Sequence, residues 1–486
     1  MRSASRLLAG LAAFALTACG TTQYQNQALG PGGANPERRS IAPPAPDRPV
    51  VLMTFSGGGS RAAALAEAVL RDMRGTTYVA ADGLRHDLTE DVRLISSVSG
   101  GSVTAAWFGL HGAGGLDELR SAFLVRDNMQ TLELDAANPI TWFRLAFSSY
   151  TRIRAEEDLF DERLFHHATM ADLNRPDRPF ILPNTTDMAG GEAFSITPQR
   201  FDDICSLYDA LPVSTAVAAS AAFPIALSPV DFKNNAIGCQ GTIGSDEWAQ
   251  IALSNPFSPF LNLPTYRDAR YTNDLRHGPD RFRDIDYLHF LDGGLADNLG
   301  TKALRSALIE PYDHAGGLNA INRGLIRKLV VILVNARSDP PNKLYQEPDT
   351  PGLVDAINAV VSVPMDANTT NSQLALEALL TEIGKAADAA RALHAGFAGM
   401  QIYGITVDYD QIPADTAEHR ALRDQAKLVP TSWTLTPAQL DVTEHAGRFL
   451  FERHPCYRRL LADLGATPPP GAEAPVAAAC VTASSH

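Results

Sequence analysis

The chain is short of basic residues. Lysine and arginine together number 41 in 486 residues, against 55 aspartates and glutamates, which gives a formal net charge of −14. A protein that binds nucleic acid or anionic lipid through its surface needs a broad basic face. The composition therefore argues against a nucleic-acid partner and against membrane attachment by charge.

Motifs for metal, redox and nucleotide chemistry are also missing. The sequence contains no H-E-x-x-H, no C-x-x-C and no G-x-x-x-x-G-K-[ST]. His166 and His167 are adjacent and would face different sides of a helix. We interpret Asp284, Asp286 and Asp297 as a solvated edge rather than a calcium site. We expect no metal and no cofactor.

Long apolar runs are absent, because no stretch reaches the length that a transmembrane helix needs. The N-terminus has Arg2 and Arg6, a short apolar run from Leu7 to Leu16, and then Leu16-Thr-Ala-Cys19. This order is typical of a bacterial lipoprotein signal, here residues 1–19, with acyl chains on Cys19. An uncleaved anchor or a plain secretory signal are the alternatives. Gly20 gives no inner-membrane retention signal, which favours the outer membrane of the cell envelope.

Cysteines are few, five in all. Without Cys19, an even set of four remains, and in an exported protein such a set indicates disulfides. Proximity in sequence favours Cys205 with Cys239 and Cys456 with Cys480, while four free buried thiols are the alternative.

The rest of the composition is that of a globular protein, with 45% hydrophobic and 20% charged residues. Residues 20–49 are rich in Gly, Pro, Asn and Gln and predict a flexible tether. Strands and helices alternate over residues 50–340, which predicts an α/β domain with a mostly parallel central sheet and helices on both faces. Residues 341–464 predict a mainly helical extension packed on this core, and residues 465–486 a loose tail.

Several regions have finer expectations. Leu116–Asn174 is interpreted as a helical cap over the site, although its aromatic residues could equally pack the core. Asn184–Asp187 is expected to follow a strand, and Lys233–Phe282 to be a loop. The extension should contain an edge strand, Met400–Asp408, and four helices: Val354–Val363, Ser372–His394, Thr416–Leu428, and Pro437–Leu464 with a break near Pro455.

One stretch suggests a catalytic nucleophile, namely Leu94-Ile-Ser-Ser-Val-Ser-Gly-Gly-Ser102. Its apolar run stops at Ser99, and Gly100-Gly101 allow a sharp turn into a helix. Such a strand, serine and helix form a nucleophile elbow, in which the hydroxyl stands clear of the sheet. The pattern G-x-S-x-G is only loosely met, because Ser97 replaces the first glycine and only Gly101 supplies the second.

Two further strands carry special residues at their ends. Val50–Ser56 runs into Gly57-Gly58-Gly59-Ser60-Arg61, and Tyr287–Leu291 runs into Asp292-Gly293-Gly294. Open α/β sheets keep their sites at the carboxyl ends of strands, so all three motifs should meet at one edge.

Together these motifs resemble the patatin-like phospholipase family over roughly residues 49 to 335, with Ala218–Pro224 similar to the family's small-residue helix. Ala62 departs from the family pattern, which places a glycine after the basic residue. The resemblance implies a catalytic dyad of Ser99 and Asp292 without histidine. His289, three residues before Asp292, should point to the other face of its strand.

The resemblance also implies an oxyanion hole in the glycine loop. Backbone N–H groups can point at a developing negative charge where no Cβ intrudes, which favours Gly58 and Gly59 as donors. Gly57 and Arg61 should support the loop, and Arg61 could instead hold a phosphate. The expected substrate is a phospholipid, a lysophospholipid or another acyl ester, reached from the membrane that the Cys19 anchor occupies.

Two other functions remain open on the sequence. The glycine loop could hold a nucleotide phosphate, but G-x-G-x-x-G fails at Ala62. Alternatively, the protein could be a catalytically silent lipoprotein of the same fold that binds lipid or serves as a scaffold. The sequence does not define the oligomeric state.

Overall fold

A central eight-stranded sheet organises the chain in a computed structural model. The structure describes residues 24–30, 32–36, 40–45, 47–130, 152–224, 227–236, 264–277, 284–309, 316–339, 350, 352–393, 400–468 and 480. The strands are β1 Val50–Phe55, β2 Thr77–Val79, β3 Arg85–Asp87, β4 Val92–Val98, β5 Phe180–Asp187, β6 Ala193–Ser195, β7 Val230–Lys233, β8 Tyr287–Asp292, β9 Lys328–Asn335 and β10 Gln401–Asp408.

The helices lie between these strands and after them. They are α1 Gly59–Met73, α2 Gly100–His111, α3 Leu116–Leu119, α4 Arg152–Phe160, α5 Met170–Leu173, α6 Pro198–Asp203, α7 Val213–Ala221, α8 Pro264–His277, α9 Gly294–Asp297, α10 Thr301–Ile309, α11 Gly317–Asn322, α12 Leu353–Leu393, α13 Ala417–Lys427, α14 Pro437–Arg453 and α15 Pro455–Leu464. No helix in the described part of the chain is long and apolar enough to cross a membrane.

The sheet order is β10-β9-β1-β4-β5-β8-β7, with β6 paired to β5 and β2–β3 forming a separate hairpin. The first five strands in this order are parallel, whereas β8 pairs antiparallel with both β5 and β7. The mostly parallel α/β fold is therefore confirmed, and β10 is the edge strand that the sequence predicts.

Both faces of the sheet are covered by helices. Side chains alternate along β1, where Met53 and Phe55 join one core cluster and Val50 and Leu52 join the other. The first cluster includes residues of α1, α2, α7 and α14, and the second includes residues of α10 and α12.

Three predicted boundaries are wrong. Strand β5 continues through Asn184–Asp187, because these residues pair with β6 and β8. The expected loop at 233–282 contains the polar helix α8, which is buried through Ala269, Tyr271 and Leu275. These apolar positions are too few to give a clear helical period in the sequence. Helix α12 continues through Pro364 instead of dividing in two.

The segment predicted as a flexible tether packs against the domain in its described part. The Leu29 N–H donates to the Cys205 carbonyl at 2.8 Å, and Asn35 is buried with its amide bonded to Asp202 at 2.7 Å. Ile41 is fully buried in the second core cluster. The polar residues that predicted a free segment find specific hydrogen-bond partners here, which composition does not reveal.

In the described part of the predicted cap, Phe123, Phe160 and Phe165 are buried in the first core cluster. These aromatics therefore pack the core, while Trp142, Phe143, Phe147 and Tyr150 lie outside the described residues. The predicted disulfide between Cys456 and Cys480 is confirmed. Cys205 is also disulfide-bonded, and Cys239 lies outside the described residues.

Candidate active site

Three loops meet at one edge of the sheet, as the motifs predict. Strand β4 lies beside β1, and Val98 pairs with Asn184 on β5. Although β8 is antiparallel to β5, its register places Asp292 opposite Thr185, the residue after Asn184. Val98 and Asp292 therefore pair with neighbouring residues of β5. This places Asp292 close to Ser99, the residue that follows Val98.

Ser99 forms a strained turn between β4 and α2. Its backbone has φ 51° and ψ −124°, a left-handed conformation that non-glycine residues rarely adopt. The glycines after it permit close packing. A Cβ atom on Gly101 would lie 2.7 Å from the carbonyl oxygens of Phe55 and Ser56. The elbow therefore has the geometry that the motif predicts.

Ser97, which replaces the usual glycine, is accommodated in a buried chain of hydroxyl groups. The Ser102 hydroxyl donates to Ser97 Oγ at 3.0 Å and also lies 3.0 Å from Ser220 Oγ. All three serines are fully buried. The departure at Ser97 thus leaves the elbow intact, because its hydroxyl has a hydrogen-bond partner.

The glycine loop has two free N–H groups. Gly57 donates its N–H to the Asn298 carbonyl at 3.1 Å, and Ser60 donates to the Ser432 carbonyl at 2.8 Å. Within the described residues, no hydrogen bond engages the N–H of Gly58 or Gly59. These two glycines are the donors that the sequence favours for an oxyanion.

Both positions require glycine. Gly58 and Gly59 have φ values of 138° and 61°. A Cβ atom on Gly59 would also lie 2.6 Å from the Ser432 carbonyl oxygen. A side chain at either position would strain the loop, since left-handed backbone favours residues without Cβ.

The Arg61 side chain anchors the glycine loop through three hydrogen bonds. Its Nε donates to the Ala336 carbonyl at 2.7 Å, Nη1 to the Val429 carbonyl at 2.5 Å and Nη2 to Thr431 Oγ1 at 3.0 Å. The side chain is buried, and this burial lowers the pKa of its guanidinium. The contacts favour the loop-support role of Arg61 over phosphate binding.

Asp292 is 4% exposed and lies near Ser99. Its Oδ1 accepts a hydrogen bond from the Gly294 N–H at 2.7 Å, and the Ser99 side chain lies close enough to the carboxylate to lower its pKa. Burial raises the pKa of Asp292 from 3.8 to about 6, although the Gly294 N–H and the Ser99 side chain partly oppose the shift. A carboxylate with such a pKa is a stronger base than a solvated one.

His289 lies away from this pair, as the strand alternation predicts. It is exposed, and its Nδ1 contacts the Asp231 carboxylate on β7. Asp297 is buried and accepts the Lys302 N–H at the start of α10 at 2.6 Å. No group of three or more residues that could bind a metal occurs in the described part of the chain.

Sequence reasoning missed Glu156 on α4. This side chain is fully buried, and neither carboxyl oxygen has a hydrogen-bond partner of normal geometry among the described residues. Burial and the nearby Asp292 raise the pKa of Glu156 well above its usual value, and the Trp433 side chain partly opposes this shift. Helix α4 therefore brings a second carboxyl group near the dyad, which an acidic residue in a helical segment does not signal by itself.

The sequence also missed the groups that fix the loops to one another. Asn298 accepts the Gly57 N–H with its carbonyl, and the segment after α13 supplies Val429, Thr431 and Ser432. Most of these contacts are made by backbone carbonyls, which any residue type could provide. No sequence signal could have identified them.

The structure thus defines an α/β protein in which a strained serine turn, a buried carboxylate near that serine and a glycine loop meet at one edge of a mostly parallel sheet. A family model described as "Patatin-like phospholipase" matches residues 53–305. The chain belongs to the patatin-like phospholipase family. The matched range contains Ser99, Asp292 and the glycine loop.

Comparison with solved structures gives "Human GIVD cytosolic phospholipase A2", with 11% identity and a TM-score of 0.33 over 59% of this chain and 45% of that chain. A second match is the same human protein "in complex with Methyl gamma-Linolenyl Fluorophosphonate inhibitor and Terbium Chloride". It has 18% identity and a TM-score of 0.23 over 32% of this chain and 24% of that chain. The chain thus spans less than half the length of these proteins. No curated protein matches the chain significantly.

Proposed function

We propose that the protein is a serine acyl hydrolase of the phospholipase A or lysophospholipase type, with Ser99 as nucleophile and Asp292 as base. The observation that carries this proposal is that the strained turn at Ser99 and the buried Asp292 carboxylate come together at one edge of the sheet. The two unengaged N–H groups of Gly58 and Gly59 on the neighbouring loop support it further.

In the acylation step, Ser99 Oγ attacks the ester carbonyl carbon while its proton passes to Asp292. The carbonyl oxygen becomes an oxyanion, and Gly58 and Gly59 stabilise it with their N–H groups. The intermediate collapses, the bond to the alcohol oxygen breaks, and Asp292 returns the proton to the leaving alcohol. An acyl group then remains on Ser99.

Deacylation repeats the chemistry with water. Asp292 takes a proton from a water molecule, which attacks the acyl carbon, and Gly58 and Gly59 again hold the oxyanion. The bond between the acyl carbon and Ser99 Oγ then breaks. Asp292 returns the proton to Ser99 Oγ, and the fatty acid leaves. Because burial raises the pKa of Asp292, the carboxylate is basic enough to take part in both steps without a histidine.

The proposed substrates are phospholipids, lysophospholipids or other acyl esters. We further propose that acyl chains on Cys19 anchor the protein to the bacterial cell envelope, facing the periplasm or the surface from the outer membrane. Cys19 lies outside the described residues. Several acyl chains would supply this attachment, since each buried methylene contributes about 0.8 kcal/mol.

The dyad is tested by hydrolysis of p-nitrophenyl butyrate with the wild type, Ser99→Ala and Asp292→Asn. Each variant should lose at least about 1,000-fold in kcat while keeping its circular dichroism spectrum. The matched controls Ser121→Ala and Asp117→Asn change exposed side chains of the same types. They should retain wild-type activity. Equal activity in the wild type and Ser99→Ala would exclude the proposed mechanism.

The substrate class is tested with a panel of diacyl phospholipids, lysophospholipids and triacylglycerols, each measured beside Ser99→Ala. Release of fatty acid that depends on Ser99 identifies the substrates. A protein that binds these lipids but releases no fatty acid would instead be the silent lipid-binding form of this fold.

A further inference from the structure

Ser220 lies at the last turn of α7, in the small-residue segment that precedes Pro224. Its side chain is fully buried. The hydroxyl oxygen accepts the backbone N–H of Ser99 at 2.9 Å, and the hydroxyl donates to the Asn184 carbonyl at 2.7 Å. The nucleophile therefore receives a hydrogen bond to its main chain from a side chain 121 positions away in sequence.

The main chain at the end of α7 also binds the backbone of Asp292 and Gly293. The Ser220 carbonyl accepts the Gly293 N–H at 3.1 Å, and the Ala222 carbonyl accepts the Asp292 N–H at 2.9 Å. The successive N–H groups of Asp292 and Gly293 are thus both bound by carbonyls at the end of α7.

Close packing makes this junction rigid. A Cβ atom on Gly293 would lie 2.2 Å from the Asn184 carbonyl oxygen, the same oxygen that Ser220 binds. Strand β5, helix α7 and the acid turn therefore meet with no space for a larger residue. A change in any one of them must move the others, because packed interiors deform little.

The strain at Ser99 explains why such a junction is needed. A non-glycine residue with φ 51° and ψ −124° persists only where surrounding contacts hold it. The Ser220 hydroxyl satisfies the N–H of that strained residue in a buried place, where an unpaired N–H is costly.

We propose that Ser220 is the positioning residue of the dyad: its hydroxyl orients the Ser99 backbone while its carbonyl holds the turn of Asp292, which sets the separation of nucleophile and base. This inference rests on the proposed function, since it assigns Ser220 a role in that same reaction. Ser220 acts through other residues and contacts no substrate.

The test compares Ser220→Ala with Ser214→Ala, the same substitution in the same helix. Ser214 is buried, but its side chain makes no hydrogen bond to either dyad residue in the described structure. Both variants are assayed for kcat and KM on p-nitrophenyl butyrate, for the rate of labelling by a fluorophosphonate probe, and for thermal unfolding.

Ser220→Ala should lower kcat and the labelling rate on the order of 10- to 100-fold and change KM less than about twofold. Ser214→Ala should keep both rates. If Ser220 had a merely structural role, Ser220→Ala would lower Tm without a selective loss of kcat. Ser220→Cys, of similar volume but with a weak acceptor, covers the case in which the alanine variant fails to fold, and it should lie between Ser220→Ala and the wild type.

Wild-type kcat in Ser220→Ala or in Ser220→Cys would overturn the inference alone, provided that Ser99→Ala is inactive. A wild type no more active than Ser99→Ala would instead overturn the proposed function, and the positioning role with it. The two failures therefore give different results in the same assay.

Discussion

The carbonyl oxygen of Gly59 lies 1.9 Å from the point that a Cβ atom on Gly100 would occupy. The oxyanion loop and the nucleophile elbow are therefore in direct backbone contact. Their separation depends on the absence of a side chain at position 100, and any methyl group there must push the two loops apart.

We predict that Gly100→Ala lowers kcat/KM on p-nitrophenyl butyrate by at least about 100-fold, because a shift of about 1 Å between reacting groups costs on that order. The control is Gly114→Ala, where no atom lies within 4 Å of the added Cβ. That variant should behave as the wild type. Activity of Gly100→Ala within threefold of the wild type would show that the two loops are not held at this distance.

The pH dependence of kcat/KM should report the ionisation of Asp292 in the free enzyme. Burial raises the pKa of Asp292 to about 6, and only the ionised carboxylate can take the Ser99 proton. We therefore expect kcat/KM to fall about tenfold per pH unit below pH 6 and to level off above it. Circular dichroism at each pH controls for acid unfolding. A profile that stays flat down to pH 4.5 would contradict the role of Asp292 as base.

The raised pKa of Asp292 also predicts that the free energy of unfolding falls as pH rises, whereas activity increases. The native state holds the Asp292 proton more tightly than the unfolded state does, so the contribution of this group to stability falls as pH rises from about 4 through about 6. Asp292→Asn removes the ionisation. The variant should therefore exceed the wild type in free energy of unfolding at pH 7.5, by about 3 kcal/mol, and should lose most of this advantage at pH 4.

Urea unfolding at both pH values measures the difference. Asp117→Asn is the control with the opposite sign, because the hydrogen bond from the partly exposed Arg74 lowers the pKa of Asp117. It should give no gain at pH 7.5. An equal gain for Asp292→Asn at pH 4 and pH 7.5 would mean that packing rather than ionisation causes it.

Much of this site is predictable from local sequence. An apolar run that ends on Ser99 and two glycines encodes a strand, a sharp turn and a helix within nine residues, and each step follows from a residue's own conformational preference. The same holds for Asp292 and for the loop at Gly58 and Gly59. The regular alternation of strands and helices likewise predicts the parallel part of the sheet.

The contacts that hold the serine turn, the glycine loop and the turn at Asp292 together cannot be predicted from local sequence. Ser220 is one small residue in a helix of small residues, and Asn298 and Ser432 contribute through their carbonyl groups. Nothing in their side chains distinguishes them from their neighbours. The antiparallel direction of β8 is similarly hidden, because a strand that ends on Asp-Gly-Gly looks the same in either orientation.

Arg61 provides the last prediction, because its two possible roles give different kinetics. Its three nitrogens donate to Ala336, Val429 and Thr431, and a lysine with one nitrogen could not reach all three acceptors. As a loop support, Arg61→Lys should lower kcat at least about tenfold and lower Tm, with similar effects on p-nitrophenyl butyrate and on a phospholipid. The control Arg74→Lys changes a surface ion pair with Asp117, which contributes at most about 1 kcal/mol. If Arg61→Lys instead raises KM for the phospholipid alone and leaves the p-nitrophenyl ester unaffected, the guanidinium binds the substrate phosphate, and the loop keeps its shape without it.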